Sequence, residues 1–170
     1  MSSAHAVIVA DAGPLIVLGL AGLLAPAAEL LGPMAVPQAV LDECLARSQA
    51  AGAPQIAEAL RAQHLHAIPH QALATLDSAD SRGLGLGEIA VIAYARMNGL
   101  VALVDDRKAR STARRLGVQL MGSGTVLVGL KQAGKLGSIA PVLQLWSAHG
   151  YFVSSPVQAE LLASAGESIP

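Results

Sequence analysis

Apolar residues in this chain gather in short unbroken runs, and between the runs they recur every three or four positions. The first pattern belongs to buried strands and the second to helices packed on them. Residues 6–10 (Ala-Val-Ile-Val-Ala) read as a buried strand that ends at Asp11, and Gly13-Pro14 predicts a turn. Leu15, Ile16, Leu18 and Leu20 open a helical stretch of several short pieces reaching about residue 31. Residues 34–36 predict a second strand. Pro37 can sit in the first turn of the next helix, where no donor is lost. Val40, Leu41, Cys44 and Leu45 form that helix's buried face, and Glu43 adjoins it.

A loop follows over 48–54, then a helix through Ile56, Leu60 and Gln63, then a short edge strand over 64–68. Residues 73–80 carry no clear pattern. Glycines at 83, 85 and 87 approach a helix with Glu88 in its first turn. Ile89, Ile92, Ala93 and Met97 form its stripe, and Asn98-Gly99 ends it. Residues 101–104 form another apolar run, closed by Asp105-Asp106. Asp106 is placed to cap a helix from Arg107 to about Leu116 whose Ala109, Ala113 and Leu116 face inward. A short strand over 118–121 and a turn at 122–124 lead into a helix over 125–133. The tail reads as a helix bearing Ile139, Val142, Leu143 and Trp146, an extended piece at 151–153, and a last helix over 157–163. Strand alternating with helix implies a parallel sheet with helices on both faces.

Composition narrows the functional classes. At 170 residues the chain is most simply one domain with a sizeable core. It is 53% hydrophobic and 2% aromatic, so the core must be aliphatic. A net charge of -1 excludes a strongly basic surface that would bind nucleic acid by charge alone, though not a local basic patch. Cys44 is the only cysteine, which rules out an internal disulfide and a cysteine-rich zinc site and points to a reducing, cytoplasmic compartment. No charge falls between Asp11 and Glu29, but Gly13, Pro14, Gly19, Gly22 and Pro26 interrupt that stretch. No Lys or Arg precedes it, so neither a membrane span nor a secretory signal is expected.

Against this acid-poor background, four acids stand at comparable places. Asp11 ends one strand, and Asp106, with Asp105 beside it, ends another. Glu43 lies within a helix and Glu88 opens one. Ligands of open parallel sheets bind just beyond the carboxyl ends of the strands. Taken singly, each acid is ordinary: a cap, a solvated helix residue, or a charge favoured by a helix dipole at roughly 0.3–1 kcal/mol. Taken together, clustered carboxylates repel and call for a cation or protons. Oxygen-only ligands suit Mg²⁺ or Mn²⁺ rather than Zn²⁺. Other candidates read as bland. The Gly-x-Gly-x-Gly at 83–87 lacks the Lys-Ser/Thr of a phosphate loop. His5, His64, His66, His70 and His149 show no ligand spacing and read as surface or loop residues, and Cys44 reads as packing.

Four segments carry a resemblance: Val-Ile-Val-Ala-Asp-Ala-Gly-Pro-Leu-Ile at 7–16, Val-Pro-Gln-Ala-Val-Leu-Asp-Glu at 36–43, Gly-Leu-Gly-Glu-Ile-Ala-Val-Ile-Ala at 85–93 and Leu-Val-Asp-Asp-Arg-Lys-Ala-Arg at 103–110, and Arg-Arg-Leu-Gly-Val at 114–118 and the Gly-Ser-Gly-Thr-Val-Leu turn at 122–127 also fit. In order and spacing the chain resembles the PIN domain, most closely its prokaryotic branch related to the VapC-type toxins. The likeness runs over about residues 6–135, with 136–170 as a helical tail of the same single domain. It implies a three-layer α/β/α fold around a central parallel sheet, and a Mg²⁺- or Mn²⁺-dependent ribonuclease. Asp11, Glu43, Glu88 and Asp106 match the family's acids, with Asp42 an adjacent competitor to Glu43. Asp105 is an additional candidate ligand, expected to be dispensable. Many relatives carry a hydroxyl residue soon after the first acid, and here Ala12-Gly13 offers none.

The basic residues Arg107, Lys108 and Arg110 would contact an RNA backbone beside the metal. A small antitoxin covering the site and a homodimer are the expected protein partners. Two alternatives stand beside this reading: a non-catalytic PIN-like interaction protein, and a phosphate-binding receiver-like domain.

Overall fold

The structure is a computed structural model and describes residues 6–72 and 75–168. Five strands form one sheet: β1 (Ile8–Ala10), β2 (Met34–Pro37), β3 (Leu65–Ile68), β4 (Val101–Leu103) and β5 (Leu120–Met121). All pair in parallel, in the order β3-β2-β1-β4-β5. The runs read as buried strands are these strands, and the stretch at 64–68 is an edge strand as its half-polar pattern predicts. Ile8 lies opposite Met34 on one side and Val101 on the other. β1 is wholly buried, which is why its sequence is an unbroken apolar run rather than an alternation.

Between the strands lie α1 (Ala12–Leu20), α2 (Leu24–Leu31), α3 (Gln38–Leu45), α4 (Ala53–Arg61), α5 (Ser78–Ser81), α6 (Leu86–Asn98) and α7 (Arg107–Arg115). After β5 come α8 (Ser123–Gln132), α9 (Ala140–Ala148) and α10 (Ser155–Ser164). The helices cover both faces of the sheet, giving the expected three layers. Of the patternless segment 73–80, residues 73 and 74 lie outside the described residues, and the remainder leads into α5.

One local expectation is corrected. Gly13-Pro14 does not turn the chain: α1 begins at Ala12, directly after β1, with Asp11 in the N-cap position. Proline is tolerated there because the first-turn N–H groups have no helical partner. The direct junction fixes Asp11 at the rim of the sheet. No single helix among the described residues is long and apolar enough to cross a membrane. α1 and α2 together are apolar enough, but they are bent by 118° and packed into the core.

The chain runs outward from β1 through β2 to β3, then returns to the other side of β1 as β4 and β5. The point where that order reverses lies between β1 and β4, the usual ligand crevice of such sheets. The Asp11 N–H donates to the Leu103 carbonyl at 3.0 Å, so the two strand ends are locked side by side. The core is aliphatic, as the composition requires. Its one large aromatic is Trp146 of α9, whose indole N–H donates to the Val17 carbonyl at 2.9 Å.

Candidate active site

Each acid reaches the crevice from a different element. Asp11 is delivered by the β1–α1 junction and is only 6% exposed. Its side chain makes no cap bond to α1. Burial pushes its carboxyl up to about 7, partly offset by the Ala12 N–H and reinforced by the charges of Glu88, Glu43 and Asp105. Glu43 comes from the face of α3 that meets α6. There Gly87 allows a close approach: a Cβ at that position would lie 3.1 Å from Val40 Cγ2, 3.4 Å from Glu43 Oε2 and 3.6 Å from Asp11 Oδ1. The start of α6 can therefore pass directly against both acids. Cys44, next to Glu43, is buried, and burial with the nearby Glu43 and Asp11 charges raises its thiol to about 12. It is an inert packing group, as its place on an apolar face predicts.

Glu88 stands in the first turn of α6, and its Oε2 accepts from the Gly85 N–H at 2.8 Å. That bond explains the glycine approach. Gly85 supplies an N–H at the helix start, and no phosphate-binding role is needed.

The pair after β4 divides its labour. Asp106 is the N-cap of α7: its Oδ1 accepts from the Lys108 N–H at 2.9 Å and the Ala109 N–H at 2.8 Å, leaving Oδ2 unengaged by these bonds. Asp105 faces α8, where its Oδ1 accepts from the Ser123 N–H at 2.8 Å. Its Oδ2 accepts from the hydroxyls of Ser123 and Tyr151. Asp105, read from sequence as the spare member, is thus the more firmly held of the two. It also acts on Asp11 electrostatically, together with Glu43 and Glu88. The cap contribution of Asp106 can be isolated from its charge. Asp106→Asn should leave the melting temperature nearly unchanged, since Asn caps as well as Asp, while Asp106→Ala should lose about 0.5–2 kcal/mol. Equal melting of the two variants in scanning calorimetry would show that the cap contributes nothing.

Asp11, Glu43, Glu88, Asp105 and Asp106 all line one cleft of about 540 Å³, with Arg107 at its wall. None of the five makes an ion pair among the described residues. Nor is any group of three His, Cys, Asp or Glu side chains placed, as it stands among the described residues, to hold a metal ion. The acids share a cleft rather than a point, and three of them are turned toward local N–H or O–H donors. The donor set still fits a hard divalent cation. It is all oxygen, it is uncompensated by any ion pair, and one member is buried at the cost of a raised carboxyl. A cation there would draw on Asp11, Glu43, Glu88 and the unused oxygen of Asp106.

The basic candidates separate. Arg107 lines the acid cleft. Lys108 lies over Gly83, where an added Cβ would collide with its Nζ. Arg110 donates to the Val104 carbonyl at 2.7 Å and borders a second cavity of about 440 Å³ that shares Asp105 with the first. Among the described residues no histidine lines the cleft, and His5 lies outside them.

Sequence reasoning missed Ser123 and Tyr151. Together they bring two hydroxyl groups to a site whose Ala12-Gly13 has none, with the Tyr151 ring 3.9 Å from where a Cβ on Gly13 would be. Burial and the Asp105 charge hold the Tyr151 phenol far above its ordinary range, so it remains a donor. The turn read at 122–124 is corrected, since α8 already begins at Ser123 with Gly122 as its N-cap, and nothing local linked that start to Asp105.

A family model described as a PIN domain matches residues 7–167. The match takes in the tail helices as well as the motif-bearing part. No curated protein and no solved structure matches the chain.

Proposed function

The chain belongs to the PIN-domain family, a nuclease-type fold, and on that premise we propose that it is a metal-dependent endoribonuclease. The observation that carries this reading is the set of five carboxylates lining one cleft at the β1/β4 switch point, with no ion pair among them. The residues that would hold Mg²⁺ or Mn²⁺ are Asp11, Glu43, Glu88 and Asp106, with Asp105 adjoining. When bound, such a cation lowers the pKa of a water and stabilises charge on a phosphodiester under in-line attack.

The chain's own residues have distinct tasks. Asp11, whose carboxyl burial raises to about 7, would be held in its ionised form by a bound cation. Arg107, at the cleft wall, is placed to receive a backbone phosphate, whereas Lys108 and Arg110 lie further off. Exposed Leu86, beside the cleft-lining Gly85, and exposed Phe152 give the cleft two apolar rims. They favour coverage by a protein partner: a small antitoxin if the chain is a VapC-type toxin, or a second copy of itself.

The test is incubation of the purified protein with single-stranded and structured RNA in Mn²⁺ and in EDTA. Cleavage is expected with Mn²⁺ and not with EDTA. Asp106→Asn, which keeps the α7 cap, should lose it. Intact RNA at millimolar Mn²⁺ would turn the reading to a non-catalytic PIN-like interaction protein.

A further inference from the structure

The segment after α9 enters the acid cleft, and it is held there by a chain of contacts that begins in the core. Trp146 is 1% exposed and its indole N–H is tied to the Val17 carbonyl of α1 at 2.9 Å. The Tyr151 ring packs edge-on against it, with centroids 5.7 Å apart and planes at 73°. The Tyr151 N–H donates back to the Trp146 carbonyl at 2.9 Å, closing the turn through Gly150. Gly150 has φ +79, a left-handed conformation that glycine adopts without strain. The result is a rigid arm whose one polar tip, the Tyr151 hydroxyl, donates to Asp105 from a residue 46 positions away. Ser123, at the start of α8, approaches the same carboxylate from another direction with its N–H and its hydroxyl.

Three donors from two elements are far more than a surface aspartate needs, and they fix a carboxylate in two directions at once. A carboxylate oxygen accepts more than one bond, so such donors orient it without exhausting it. We propose that Tyr151 is a positioning residue of the site: its hydroxyl, carried in by the Trp146-anchored arm, aims the Asp105 carboxylate and thereby sets how tightly the cleft holds a divalent cation. This rests on the metal-dependent reading above. It makes the tail part of the site, although every acid that pointed to the site lies before residue 107.

The experiment is Mn²⁺ titration by calorimetry on the full chain without RNA, for wild type, Tyr151→Phe, Ser123→Ala, Asp105→Asn and the Asp105→Asn/Tyr151→Phe double variant. Phenylalanine keeps the ring packed on Trp146 and removes only the hydroxyl. Removing a group that orients a metal's ligand typically weakens binding by about 10–100-fold. Tyr151→Phe should show a loss of that size, with a metal-free melting temperature close to wild type. Ser123→Ala should shift binding the same way. In the Asp105→Asn background, Tyr151→Phe should change binding less than about twofold, because its effect runs through Asp105. RNA cleavage by Tyr151→Phe should recover at saturating Mn²⁺, with kcat near wild type.

Wild-type affinity in Tyr151→Phe would overturn the proposal, and so would an equal loss in both backgrounds, which would place the effect outside Asp105. Absence of Mn²⁺ binding by wild type is a separate outcome. It would remove the metal-dependent reading itself, and this proposal with it.

Discussion

Asp11→Asn should abolish Mn²⁺-dependent RNA cleavage and, in metal-free protein at pH 8, melt at a higher temperature than wild type. The two effects have one cause. Asp11 is buried at the end of β1 among other acids, so its ionised form lacks both water and a counter-charge. Its carboxyl stands at about 7, against 3.8 for the ordinary group. A raised folded-state value means that the native protein binds the extra proton between those two limits. The contribution of Asp11 to stability is therefore most favourable below pH 3.8 and falls as pH rises toward about 7. Near three pH units at about 1.4 kcal/mol each gives a penalty on the order of 4 kcal/mol above neutrality. For a chain of this size that corresponds to roughly 10 °C in melting temperature. Asparagine removes the charge at nearly constant shape, and its amide can donate to the Glu43 and Glu88 carboxylates nearby.

Scanning calorimetry at pH 5 and pH 8 measures this directly. The gap between the two proteins should be widest at pH 8 and shrink to about a third of that at pH 5, where only part of the penalty has accrued, and added Mn²⁺ should raise wild type alone. Loss of a ligand to a cation that would neutralise a reacting phosphodiester removes several kcal/mol of charge stabilisation, a drop in rate on the order of a thousandfold or more. If Asp11→Asn melts below wild type at pH 8, Asp11 is not a buried, uncompensated charge.

How far the chain could be read in advance follows from the range of each interaction. β1, β2 and β4 were legible because a strand buried on both faces leaves an unbroken apolar run. Asp106 was legible as a cap because N-cap bonds reach only two or three residues ahead. The gathering of Asp11, Glu88 and the Asp105-Asp106 pair was legible because strand ends and helix starts lie on one rim of a parallel sheet, whereas Glu43, inside α3, was indicated by the family resemblance. Gly13-Pro14 was misread because a turn and a helix's first turn both accept that dipeptide, and only the packing of α1 chooses between them.

The role of Asp105 was not legible at all. What separates the two carboxylates is Ser123 and Tyr151, 18 and 46 residues from Asp105, and such contacts leave no periodicity. Tyr151 looked like part of a short extended piece. In the structure it is the tip of an arm braced by Trp146.

That brace makes Trp146→Ala the most damaging core substitution expected here. In a core built of Ala, Leu, Val and Ile, Trp146 is the largest fully buried side chain. Nothing nearby is large enough to refill its volume, so the cavity should persist. Truncation of a buried Trp to Ala costs about 3–5 kcal/mol, equivalent to roughly 10–15 °C at this chain length. Trp146→Phe separates volume from hydrogen bonding: it keeps a ring for Tyr151 to pack against but removes the indole donor, leaving the Val17 carbonyl with the Ala21 N–H at 3.3 Å. Losing one of two bonds should cost about 0.5–1.5 kcal/mol. Thermal melts should therefore rank wild type, Trp146→Phe, Trp146→Ala. The site should follow the ring rather than the stability: Trp146→Phe, destabilised but still bracing Tyr151, should keep most of its Mn²⁺ affinity at 20 °C, while Trp146→Ala should lose it along with the arm. Equal Mn²⁺ affinity in the two variants, both folded at the temperature of measurement, would mean that Tyr151 reaches Asp105 without the brace.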